Sequence, residues 1–124
     1  MSQPGLAEIE AALRASWSAD TAWSPARWSV HRPAAGQCWS SAFVVRALLG
    51  GEVVHAKVLS DATPQQWHAW NRLPDGSEVD LTLEQFPHGQ QFEVADFPES
   101  AIEAVAGPQA ILLLARVRAA LNVS

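Results

Sequence analysis

Residues Cys38 to Leu49 read Cys-Trp-Ser-Ser-Ala-Phe-Val-Val-Arg-Ala-Leu-Leu, and this stretch constrains the fold more than any other. At helical spacing Ala42, Val45 and Leu49 share a stripe with Cys38, while Phe43, Val44, Ala47 and Leu48 widen it until the helix is apolar almost all round. A helix of that kind has no face to give to water. It must lie at the centre, with the rest of the chain packed around it. Gly50-Gly51 stops it, since glycine tolerates the left-handed conformation of a helix end. With 124 residues, 48% of them hydrophobic, the chain is expected to form one domain over residues 1–124.

The flanking segments indicate what surrounds this helix. Leu6, Ile9, Ala12, Leu13 and Trp17 recur at three- and four-residue spacing and predict a first helix after Pro4-Gly5. Ser18 to Gln37 holds Pro25, Pro33 and Gly36, with Trp23 and Trp28 between them. It reads as irregular chain pinned by its indole rings. Glu52 to Leu59 is a valine-rich strand, and Gln66 to Arg72 and Glu78 to Leu83 are two more. A last helix opens at Gly107-Pro108 and fills Ala110 to Val123, with Ile111, Leu114, Val117 and Leu121 as its stripe. Arg116 and Arg118 read as its solvated face. The expected class is α+β: a buried, cysteine-bearing helix on a small antiparallel sheet, with helices at both ends.

The hairpin Leu73-Pro74-Asp75-Gly76 fixes which side chains share a face. A two-residue Asp75-Gly76 turn would mix apolar and polar residues on both faces. A type I turn on Pro74-Asp75 with Gly76 as a bulge pairs residues whose numbers sum to 150, and separates them. One face then carries Trp67, Ala69, Asn71, Leu73, Val79, Leu81 and Leu83. The other carries His68, Trp70, Asp80 and Thr82, with Arg72 facing Glu78. His68 and Asp80 become diagonal neighbours, about 7–8 Å apart at the backbone, within reach of an imidazole–carboxylate bond.

The chain has a single cysteine. That excludes an internal disulfide and any multi-cysteine metal site. Cys38 opens the buried helix, where the partial positive charge of the helix start favours a thiolate, the nucleophilic form. Unpaired backbone N–H groups of the first turn suit an oxyanion. A Cys38–His68–Asp80 triad follows, with His68 as base and Asp80 orienting it. Each residue also has a plainer reading: Cys38 as inert packing, His68 as a structural histidine, Asp80 as a backbone acceptor. Trp39 and Trp70 would wall the site. Asn71 is either a structural tie or a substitute orienting residue. Phe86 reads as a core anchor, Gln85 as a side chain bonding loop backbone, and His55 as a structural histidine.

Gly36-Gln37-Cys38-Trp39 resembles the Gly-x-Cys-Trp around the nucleophile of papain-like cysteine peptidases. The order of a helix-borne Cys, then His and Asp on strands, resembles the minimal core shared by transglutaminase-like and NlpC-type enzymes. More closely, several segments look like the bacterial YunG-like family. These are Cys38-Trp39, Gly50-Gly51-Glu52, His68-x-Trp70-Asn71-Arg72, Asp75-Gly76 and Val79-Asp80-Leu81-Thr82-x-x-Gln85-Phe86. The resemblance implies a papain-like fold and site rather than a known reaction. It implies a cysteine-dependent amide hydrolase or acyl transferase acting on a small amide or isopeptide. The alternative is a non-catalytic binding or scaffold domain that retains the core. Papain-like enzymes place an oxyanion glutamine several residues before the nucleophile, where this chain has Arg32. Only the adjacent Gln37 is left for that role.

Composition narrows the partners. The net charge is −5 and Lys57 is the only lysine, which argues against nucleic acid or an anionic membrane surface. The longest apolar run, Ala110 to Ala115, is far short of the roughly 20 residues of a membrane span. The amino terminus shows no secretory signal pattern, so a cytoplasmic monomer or small homo-oligomer is expected. Cys38, His68 and Asp80 are zinc-ligand types, but no closely spaced ligand pair accompanies them. Gly50-Gly51 follows a helix rather than opening one. No metal and no cofactor are expected.

Overall fold

A computed structural model describes residues 4–63, 65–96 and 99–123, with the side chains of 99–106 left out of the description. Its helices are α1 (Leu6–Ser16), α2 (Cys38–Leu49) and α3 (Glu99–Leu121). The strands are β1 (Glu52–Val58), β2 (Trp67–Arg72), β3 (Glu78–Val79) and β4 (Phe92–Val94), in the antiparallel order β3-β2-β1-β4. The α+β class expected from the sequence is the observed one.

α2 is central, as its all-round apolar pattern requires. On one side Val44 and Val45 pack with Ile9, Ala12 and Leu13 of α1, Trp17 just beyond it, and Leu113 and Val117 of α3. On the other, Cys38, Trp39 and Ala42 meet Ala69 of β2 and Ala110 of α3, with Val53 and Trp67 at the margin. α2 ends at Gly50, whose N–H bonds the Arg46 carbonyl. Gly51 follows at φ +84°, and a methyl group there would collide with the Arg72 carbonyl. Gly51→Ala is therefore expected to lower the unfolding free energy by about 2 kcal/mol or more, read from urea denaturation.

The hairpin register is the expected one: Asn71 pairs with Val79 and Arg72 with Glu78. Gly76 sits at φ +90° and its N–H bonds the Leu73 carbonyl, while Leu73 N–H bonds the Ser77 carbonyl. The Ser77 hydroxyl and N–H both donate to Asp75, holding its carboxyl below the usual range. The second strand is shorter than expected, ending at Val79 instead of Leu83. The chain then turns and forms a 3₁₀ turn at Leu83–Gln85. Beside His68 and Trp70, the β2 edge consequently has no β3 partner.

Other expectations need correction. Phe92–Val94 adds a fourth strand on the free edge of β1. A helical stretch from Glu99 precedes the last helix; Gly107, at φ 45° and ψ −145°, separates the two, so the last helix starts at Gly107-Pro108 as expected. The buried stripe of α3 is Ala110, Leu113 and Val117, while Ile111 is 68% exposed. The run Ile-Leu-Leu-Leu is apolar at every phase, so spacing alone could not choose the face. Of the two indoles expected to pin Ser18 to Gln37, Trp28 does so, donating to the Pro33 carbonyl at 2.9 Å, and Trp23 does not. Trp23 is 55% exposed, whereas Thr21, Gln37 and Ser40 are interlinked and buried. Arg116 is tied to this segment through the Ser16 carbonyl, the Ser18 hydroxyl and Asp20.

Candidate active site

Cys38 is the first residue of α2 and is 5% exposed. The turn that delivers it is built around Gly36. At φ +71°, with its nearest neighbour the Trp23 backbone, Gly36 has neither the conformation nor the room for a side chain. Trp23 N–H bonds the Gly36 carbonyl and Gln37 N–H bonds that of Ala34. The Gln37 side chain makes no capping bond to the start of α2.

His68 comes from β2. Its alternate neighbours Trp67, Ala69 and Asn71 face α2, yet the His68 ring is itself completely buried. It lies at the part of the β2 edge that β3 has vacated, enclosed by aromatic rings. Phe86 meets it edge-on at 4.7 Å, with Phe92 at 5.0 Å and Trp70 at 5.6 Å. Asp80, the first residue after β3, turns back to it: His68 Nε2 is 2.6 Å from Asp80 Oδ2. The ladder pairing expected opposite Thr82 does not form, but the imidazole–carboxylate contact does.

That contact engages Nε2, leaving Nδ1 as the ring nitrogen available to the thiol. Nδ1 makes no hydrogen bond among the described residues. Burial is the largest influence on His68 and pulls its pKa down. The hydrogen bond to Asp80 and the interaction with the Cys38 sulfur, together with the charges of both, outweigh it and raise the pKa from 6.5 to about 9.

The remaining candidates have other engagements. The Gln37 carboxamide accepts from the Thr21 hydroxyl at 2.8 Å and donates to the Ser18 carbonyl at 2.9 Å, so it braces the preceding segment. Trp39 stacks on His55 at 5.5 Å. Trp70 borders His68 and donates its indole N–H to Glu78 at 2.6 Å. Asn71 donates to the Ala42 carbonyl at 2.9 Å, tying β2 to α2. Asn71→Ala is expected to cost about 1–3 kcal/mol of stability, measurable by thermal or urea unfolding.

Asp80 is itself held. Its Oδ1 accepts from Thr82 N–H at 3.1 Å, and Gln85 donates to the Thr82 hydroxyl at 3.2 Å. The other end of the Gln85 carboxamide accepts the Gly36 N–H at 3.2 Å. Gln85 bonds backbone as expected, but that backbone is the Gly36 turn, 49 residues away. The Thr82-x-x-Gln85-Phe86 motif was the available signal.

Among the described residues no cluster of three or more His, Cys, Asp or Glu is arranged to hold a metal, and no helix is long and apolar enough to cross a membrane. A cavity of about 180 Å³ lies elsewhere, lined by Glu52, Val54, His55, Arg72, Val94 and Asp96 among others.

The fold and site define an α+β protein with a buried histidine bonded to an aspartate, and with a buried cysteine at the start of its central helix. The chain matches the model of the YunG protein family over residues 5–122, and it belongs to that family. It is 32% identical over 92 residues to the uncharacterized protein YunG of Bacillus subtilis (strain 168), a match covering 74% of this chain and 70% of that protein. No solved structure matches it.

Proposed function

We propose that the chain is a cysteine-dependent acyl-transfer enzyme with a papain-like arrangement, acting on a small amide or isopeptide. The observation that carries this reading is His68. It is a completely buried histidine bonded through Nε2 to Asp80, with the Cys38 sulfur acting on the same ring. In this reading the three groups are supplied by α2, β2 and the segment after β3.

With His68 holding a proton at neutral pH, the reactive form is a Cys38 thiolate beside an imidazolium. The sulfur attacks the acyl carbon, forming an S–C bond while the carbonyl π pair moves to oxygen. Backbone N–H groups at the start of α2 stabilise that oxyanion. When the tetrahedral intermediate collapses, the C–N bond breaks and His68 gives its proton to the departing amine. A water then attacks the thioester, with the now neutral His68 taking its proton; the C–S bond breaks, the carboxylic acid leaves, and the Cys38 thiolate and His68 imidazolium are restored. An amine in place of water completes a transfer instead of a hydrolysis. Asp80 keeps Nε2 protonated, so that Nδ1 faces the chemistry.

The test is incubation with p-nitrophenyl acetate. One acetyl group on Cys38 by peptide mass mapping, with stoichiometric release of nitrophenolate, supports the reading. No acetylation above that of Cys38→Ala contradicts it.

The near-complete enclosure of Cys38 and His68 favours a second reading, in which the domain binds or scaffolds and the thiol only fills space. Cys38→Ala would then leave every ligand interaction and cellular phenotype intact.

A further inference from the structure

The two halves of the candidate site come from distant parts of the chain. Cys38 is delivered by the Gly36-Gln37 turn, whereas Asp80 belongs to the strap that leaves β3. One side chain bridges them. The Gln85 carboxamide accepts Gly36 N–H at 3.2 Å and donates to the Thr82 hydroxyl at 3.2 Å. Thr82 in turn donates its N–H to Asp80 Oδ1, with its hydroxyl 3.5 Å from the same oxygen. Asp80 Oδ2 reaches His68. The Gln85 carbonyl also receives a bond from Arg32, fixing the strap to the loop before Gly36. Both ends of the carboxamide are thereby used, one on each side of the site.

We propose that Gln85 is a positioning residue: through Thr82 and Gly36 it sets the separation between the His68–Asp80 pair and the Cys38 sulfur. The inference rests on the acyl-transfer reading and assigns a role to a side chain that never touches the reacting atoms. Thr82 is its relay. It is buried, and its N–H and hydroxyl face Asp80 and Gln85 together. An amide is suited to this place because it presents an acceptor to the Gly36 N–H and a donor to Thr82 at once. A carboxylate would offer only acceptors.

The test is the rate of Cys38 alkylation by iodoacetamide against pH in the full chain, for wild type, Gln85→Ala, Thr82→Val, Thr82→Ser and His68→Ala. Gln85 is only half-buried, so its truncation leaves the core packed. Gln85→Ala and Thr82→Val are expected to react about tenfold more slowly at pH 7, with profiles displaced toward that of His68→Ala. Thr82→Ser, which retains the hydroxyl, is expected to keep the wild-type profile. A brace that only stabilises the fold would lower the melting temperature and leave the profile unmoved. A wild-type profile in Gln85→Ala and Thr82→Val, with a displaced one in His68→Ala, overturns the positioning role and leaves the acyl-transfer reading standing. A wild-type profile in His68→Ala overturns that reading and the positioning role with it.

Discussion

His68→Ala is expected to slow acetylation of Cys38 by p-nitrophenyl acetate by about 10²- to 10⁴-fold at pH 7, the range in which a positioned acid–base group contributes. The sign matters more than the size. His68 is fully buried and Cys38 is only 5% exposed, so in the acyl-transfer reading removing the His68 ring widens access to the sulfur. An inert, packed cysteine would therefore become more reactive in the variant. A cysteine that depends on His68 for its thiolate becomes less reactive although it is easier to reach. Steady-state rates with intact-mass counting of acetylated protein separate the two outcomes, and circular dichroism reports whether the variant is folded.

The second large effect is on stability. His68 binds its proton more tightly in the folded protein, with a pKa of about 9 against 6.5 when unperturbed. Burial acts against this shift and is overcome by Asp80 and Cys38. Between those two values the folded state carries more protons than the unfolded one, so stability falls as pH rises. The contribution is fully present below pH 6.5 and is lost as pH passes through about 9. At 1.36 kcal/mol per unit the loss is on the order of 3 kcal/mol. Urea denaturation at several values across this window should show it as a falling unfolding free energy. Asp80→Ala should remove most of the slope, because burial then dominates His68. It should also cost about 2–3 kcal/mol at pH 6, where a charge-assisted bond to a buried ring is lost. A wild-type unfolding free energy that stays level over this window would contradict the proton placement.

The central helix was legible because an apolar pattern with no polar face admits only one location. Cys38 and Leu49 are its observed limits, and Gly50-Gly51 its stop. The hairpin register was legible because Pro74, Asp75 and Gly76 each have a conformational reason to occupy their turn position. Register alone brought His68 and Asp80 to one side. It did not show that β3 ends at Val79. Asp80 leaves the ladder to bond His68 and Thr82, and that choice depends on contacts distant in sequence. Nor did it show that the polar face is buried at this end, since the enclosing Phe86 and Phe92 arrive from segments with no clear periodicity. β4 escaped notice because three residues are too few to alternate. Gln37 was placed beside the site by position, but a carboxamide follows its hydrogen bonds, and these lead to Ser18 and Thr21.

The most direct measurement is the iodoacetamide alkylation rate of Cys38 as a function of pH, in wild type and His68→Ala, with the modified residue identified by peptide mass mapping. Wild-type Cys38 is expected to react readily at pH 7, and His68→Ala to be slower there and to approach the wild-type rate only at high pH. Superimposable curves, or a faster variant at neutral pH, would show that His68 does nothing for the thiol and would overturn the acyl-transfer reading.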